Sequence, residues 1–243
     1  MTKALTGVLG LAAAITLVLT AWMALVVTPA DIVQADAVRL LYLHVPTAWV
    51  AMYLSFGVTS IASALYLWRR TRSRFWDLTA GASAEIGVVF LGLTLVIGSI
   101  WGRATWGVWW TWDARLTTTA VLFVLYVGYL AVRRAPADPE VRSRRAAIVA
   151  LAAFLDVPDV HLSVEWWRTL HQKASLLRPD LSPQIHGSML GALLLGLLAF
   201  TLLYAWLLVR RFRLAWLEEQ AEDRALETAI AERHAEAAVA VGQ

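Results

Sequence analysis

The chain contains no cysteine. Disulfides, thiolate metal sites, a cysteine nucleophile and covalent thioether attachment of a cofactor are therefore excluded within it. Charge is also scarce: only 16% of the 243 residues are Asp, Glu, Lys or Arg, against 59% hydrophobic. Soluble globular chains carry about 25% charged residues. A core-rich soluble domain does not fit these proportions, whereas a polytopic membrane protein does. The phosphate loop G-x-x-x-x-G-K-[ST] is missing, so any use of ATP belongs to a partner. No internal repeat stands out. The net charge is +3, and because the arginines cluster in the connections it is read as membrane orientation rather than nucleic-acid binding. The first apolar run has no small-residue cleavage signature and is followed by Thr28-Pro29, which suits a retained span rather than a removed signal peptide.

Apolar sequence is what the chain has in quantity. A spanning helix takes about 20 apolar residues. Six runs meet or approach this, at about 4–27, 46–68, 79–100, 116–132, 146–159 and 186–209. The fifth is short, with its end expected at Asp156, Pro158 and Asp159 and its start in or after an arginine-containing stretch. The connections alternate in charge. Arg69, Arg70, Arg72 and Arg74, then Arg133, Arg134, Arg142, Arg144 and Arg145, then Arg210, Arg211 and Arg213, with Lys3, put thirteen basic residues on one side. The other side carries six: Arg39, Arg103, Arg115, Arg168, Lys173 and Arg178. The positive-inside rule then places both termini in the cytoplasm and the connections at about 28–45, 101–115 and 160–185 outside. The expected fold is an all-α polytopic membrane protein of six transmembrane helices with a tryptophan-rich outer loop. Residues 1–213 form its membrane domain and 214–243 a cytoplasmic C-terminal helical tail. Glu85, near the inner end of the third span, reads as a snorkelling interfacial carboxylate.

Five of the thirteen tryptophans fall in one stretch, Trp101–Asp113, W-G-R-A-T-W-G-V-W-W-T-W-D. An aromatic belt needs one or two at a helix end. Five, spaced by glycines and closed by a carboxylate, suit a platform for a flat apolar ligand. The first outer connection ends Y-L-H-V-P, and Pro46, suited to a first helical turn, predicts His44 at a helix entrance. The third carries His161, Trp166, Trp167 and His171, with a short amphipathic helix expected over 163–171 and His171 on its tryptophan side. Imidazole ligates iron, zinc or copper. Indoles suit a flat macrocycle, and arginine suits its carboxylates. Two histidines from separate loops, an aromatic wall and nearby arginines make a plausible haem site, whereas zinc would want three or four close ligands and no tryptophans. Two other readings stay open from the residues alone: a b-type membrane electron-transfer cytochrome, and a permease subunit whose tryptophans are only a belt.

The motif W-G-x-x-W-G-V-W-W-T-W-D-A-R-L-T at 101–117 resembles that of the haem-handling protein family of cytochrome c maturation, and most closely its CcmC (haem exporter protein C) branch. Y-L-H-V-P at 42–46 and S-V-E-W-W-R-T-L-H-Q at 163–172 resemble the family's two histidine-bearing outer segments. The resemblance covers about residues 22–210. It implies His44 and His171 as axial ligands of the haem iron, Trp106, Trp109, Trp110, Trp112 and Asp113 as the haem platform, and haem b as a transported substrate rather than a reactant. Arg115, and after it Arg39 and Arg103, would meet the propionates. Asp113 is expected to orient a Trp N–H, a backbone amide or Arg115 rather than bind iron. The implied partners are the ABC ATPase CcmA, the membrane subunit CcmB, the small membrane peptide CcmD and the periplasmic haem chaperone CcmE, at a bacterial inner membrane. No enzymatic step is implied. Lys173 after T-L-H-Q and the long acidic tail depart from the family pattern.

Overall fold

A computed structural model describes residues 3–68, 73–173, 176 and 185–241; Arg69, Arg70, Arg72 and Arg178 of the charge count lie outside these. The described residues are helical or irregular, apart from one isolated bridge between Asp31 and Ala35. Six helices are long and apolar enough to cross a membrane. They are α1 (Lys3–Val27), α2 (Asp36–Trp68), α3 (Arg74–Trp106), α4 (Ala114–Arg134), α5 (Pro139–Trp166) and α6 (Gly187–Val241). The number of spans matches the apolar runs. Helix α6 continues unbroken from its apolar run through residues 214–241.

The helix ends follow from local chemistry. Asp113 caps α4 by accepting from the Leu116 amide at 2.9 Å. Asp138 caps α5 by accepting from the Glu140 and Val141 amides, and Pro139 takes the first helical position, where a missing N–H leaves no bond unmade. Helix α3 stops at Gly107, whose φ of +79° lies in the left-handed region.

Two sequence expectations need correction here. The fifth span does not end at Asp156, Pro158 and Asp159. The chain breaks the helix at Leu155 and restarts it at once, so α5 runs to Trp166. Asp156, Pro158 and Asp159 occupy the first turn of the restarted piece. There carboxylates meet the positive helix end, and a proline needs no partner for its nitrogen. Second, His44 is not at a helix entrance. A 3₁₀ turn, Asp36–Leu40, leads into α-helix from Leu41, so Pro46 is internal and His44 lies one turn within α2. A π-helical stretch, Trp49–Ser55, follows the proline.

Small residues let the spans approach, as expected where helices cannot rely on the hydrophobic effect to associate. Gly10 of α1 faces the indole of Trp206, and Gly196 faces Pro46 and Thr20. Ser83 and Gly87 give α3 a narrow face against α2. Ser83 Oγ donates to the Ser55 carbonyl at 2.7 Å, and a Cβ on Gly87 would overlap Phe56 and Ser55. Gly87→Val is therefore expected to destabilise the protein by about 1–3 kcal/mol, read as a lower thermal transition in detergent. Gly57→Val, with open space around it, is the control. At the end that carries the N terminus, Arg133 forks onto Asp77 at 2.5 and 3.1 Å. Arg211 likewise pairs with Glu85 through two nitrogens. Glu85 is thus an ion-pair partner rather than a lone snorkelling acid.

Candidate functional site

At the opposite end of the bundle, α2, α3, α4, α5 and the connections between them enclose a narrow cleft with a cavity volume of about 120 Å³. His44, Trp101, Trp106, Trp109, Trp110, Arg115 and His171 all line it. The chain therefore brings together residues that are up to 127 positions apart. The His44 and His171 rings have centroids 6.3 Å apart and planes tilted by 35°. Trp101 meets His44 edge-on at 5.7 Å, and Trp106 meets His171 edge-on at 6.2 Å.

Each side chain has a structural reason for its position. His44 is fixed by the helical backbone of α2 and leans on Gly98 of α3. A Cβ at Gly98 would lie 2.7 Å from the imidazole Cε1. Trp101 and Trp106 lie in the last two turns of α3, so the tryptophan stretch is half helix and half loop. The loop half folds back, with Ser99 Oγ donating to the Trp109 carbonyl at 2.7 Å. Trp110 Nε1 is buried and unpartnered.

The expected amphipathic helix over 163–171 does not form. Helix α5 ends at Trp166, and Trp167 is extended. Trp166 and Trp167 pack on each other edge-on at 5.6 Å and are exposed, not aligned with His171. The reason is local competition. Past Trp166, Thr169 Oγ1 accepts from the His171 amide at 2.8 Å, which offers the backbone a turn in place of a helix. His171 Nδ1 then donates to the Gln172 carbonyl at 2.9 Å. That bond puts the proton on Nδ1 and leaves Nε2 with its lone pair.

Asp113 and Trp112 do not line the cleft. Trp112 is 82% exposed and touches Trp110 edge-on at 5.6 Å. Asp113 is bound to backbone amides, one of the three roles expected of it. Its Oδ1 caps α4, and its Oδ2 accepts from the Leu170 amide at 3.1 Å, which ties the third connection beside His171. Arg39 bonds to the Ala24 and Thr28 carbonyls and to Asp36, and Arg103 to the Gly107 carbonyl. Neither lines the cleft, and Arg115 does. His161 does not line the cleft, its carbonyl accepting from Arg115 at 3.4 Å and its Nδ1 sharing a 2.5 Å hydrogen bond with the Tyr53 hydroxyl, and His186 is exposed ahead of α6.

Sequence reasoning missed Gln34, Gly98 and the direct role of Trp101 in the wall. Asp31 Oδ1 accepts from the Val33 and Gln34 amides at 2.8 and 2.7 Å, which turns the first connection so that Gln34 Oε1 accepts from Trp101 Nε1 at 2.8 Å. A D-x-V-Q segment carries the Asx-turn signal, but nothing in it names the indole it will reach.

Burial and the nearby Arg115 cation push the His171 imidazole down to about 4, the bond to Gln172 pulling weakly the other way. The neutral ring, the form able to bind a metal, thus persists through mildly acidic conditions. In the unfolded chain the ring would gain a proton near pH 6.5, so the fold loses stability from this group as pH falls from about 6.5 to about 4. A metal bound through His171 is expected to stay bound at pH 5.5 and to leave as pH approaches 4, measured by a spectroscopic pH titration.

The fold and the cleft define a class: a multi-span membrane protein that presents paired imidazoles on an indole-lined slot. The family model for CcmC, haem exporter protein C, matches residues 1–227, and the chain belongs to that family. Similar proteins include the haem exporter protein C of Bradyrhizobium diazoefficiens, 43% identical over 74% of this chain and 66% of that protein. The Haemophilus influenzae counterpart is 40% identical over 80% and 77%, and the Escherichia coli K12 counterpart 39% over 76% and 73%. The matches thus span about two thirds to three quarters of those relatives' length.

Proposed function

We propose that the protein takes part in haem export for cytochrome c maturation, holding haem b as cargo at the periplasmic face of a bacterial inner membrane. His44 and His171 grip the iron from opposite faces. Trp101, Trp106, Trp109 and Trp110 cover the porphyrin, Trp112 and Asp113 support that wall, and Arg115 pairs with a propionate. In this reading both termini are cytoplasmic, and the ATPase CcmA, the membrane subunit CcmB and the peptide CcmD complete an ABC-type complex. The chain hands its cargo to the haem chaperone CcmE without breaking a bond of the macrocycle. Transfer would begin with one imidazole letting go, so that the chaperone can attach through its own residue before the second imidazole leaves.

The observation that carries this reading is the spacing of the two rings. An imidazole nitrogen binds a first-row metal at about 2 Å, so two rings holding one ion from opposite sides have centroids about 6 Å apart. The His44–His171 separation is 6.3 Å. The His171 tautomer is set by a backbone carbonyl, which leaves Nε2 as the ligating nitrogen.

The test is the absorption and resonance Raman spectrum of the purified protein given ferric haem. Wild type is expected to be six-coordinate and low-spin. His44→Ala and His171→Ala are each expected to shift to a five-coordinate or water-ligated, high-spin form. An unchanged spectrum in both single variants would remove the paired-histidine reading. Reduction by a quinol at a catalytically useful rate would instead favour an electron-transfer cytochrome.

A further inference from the structure

At the end of the bundle away from the cleft, α1, α3 and α6 leave a second recess of about 520 Å³. Lys3, Phe75, Phe212, Arg213, Trp216 and Leu217 line it. Its floor is aromatic. Phe212 meets Phe75 edge-on at 5.2 Å and stacks on Trp216 at 6.2 Å with planes 22° apart. Its rim is cationic. Arg213 reaches across to α1, where its Nη1 donates to Thr6 Oγ1 at 2.9 Å. Three acids on neighbouring turns of α6 are engaged elsewhere. Glu219 and Asp223 hold Arg74 at 2.5 and 3.0 Å, and Glu218 meets Arg211 at 3.4 Å. Among the described residues no carboxylate lines the recess.

We propose that this recess binds an anionic phospholipid, with the phosphate between Lys3 and Arg213 and the upper acyl chain along Phe75, Phe212 and Trp216. The recess lies where α6 passes from its apolar run into its charged segment, the level at which headgroups lie. An aromatic belt would explain the rings but not two cations converging on one hollow. A free phosphate would use the cations but gain nothing from an apolar floor. A phospholipid of negative net charge uses both.

The test uses the full chain, purified and stripped of lipid in mild detergent, with retained lipid counted by native mass spectrometry. Phosphatidylglycerol is expected to be retained in preference to phosphatidylcholine. One cation near an anionic lipid is worth about 1 kcal/mol, so Lys3→Gln is expected to lower phosphatidylglycerol occupancy about fivefold, and Lys3→Gln with Arg213→Gln further. Lys3→Gln carries the test alone if the double variant does not fold, because Lys3 is exposed at the start of α1. Equal retention of the two lipids, or wild-type occupancy in Lys3→Gln, would overturn the proposal. So would inorganic phosphate displacing phosphatidylglycerol at equal concentration, which would mark a phosphate site with no role for the acyl chain.

Discussion

Replacing His44 and His171 together by alanine is expected to lower haem retention by more than a hundredfold and to stop the accumulation of c-type cytochromes in cells. Loss of partners that only orient a metal ligand costs about 10–100-fold in affinity. Removing both ligands leaves stacking on indoles and one arginine, which hold a macrocycle without fixing it. The expectation follows from the cleft. His44 and His171 are the two histidines that line it, while His161 is committed to Tyr53 and His186 is exposed. Among the described residues no third imidazole lines the cleft. The measurements are the haem to protein ratio after purification and haem staining of c-type cytochromes, with His161→Ala as the control. That control is expected to retain haem. Near-normal haem in the double variant would end the proposal that these rings hold the iron.

Gly98→Val is expected to reduce haem affinity at least tenfold without removing either histidine. A Cβ at this position falls 2.7 Å from His44 Cε1, below any tolerable contact. The imidazole is anchored to a helical backbone, so it cannot retreat by shifting a loop. It must change rotamer, and a ligand misplaced by a fraction of an ångström no longer meets its metal, which has strict distance limits. Gly128→Val is the matched control, because nothing lies within 4 Å of a Cβ there. The readouts are a haem titration and a thermal melt of each apoprotein. Weak binding with a normal melt in Gly98→Val supports displacement of the ring. Unchanged affinity would show that His44 does not need the space Gly98 provides.

The spans were legible because twenty apolar residues in a row have few alternatives in water or lipid. The cluster was legible as composition: an excess of tryptophan at one place, with histidines expected at the two other outer connections. The shape of the third connection was not. Thr169 looks acceptable on a helix, yet its hydroxyl bonds the His171 amide and favours a turn, so His171 reaches the cleft from an irregular segment. The fifth span was cut short because Asp156, Pro158 and Asp159 look like a terminus. They are one, but the terminus is the start of a new helical piece stacked directly on the old one. Gly98 and Gln34 were invisible for a different reason. Their value depends on which side chain a distant segment brings against them, and periodicity within one segment does not contain that.

The two jaws of the cleft are built with unequal stiffness. The backbone of His44 belongs to a membrane-spanning rod. His171 hangs on a short stretch of non-helical chain moored by the Thr169 hydroxyl and one oxygen of Asp113. If the two rings hold the cargo as proposed, His171 would be the first to yield to a recipient while His44 keeps its hold, so release would follow a set order.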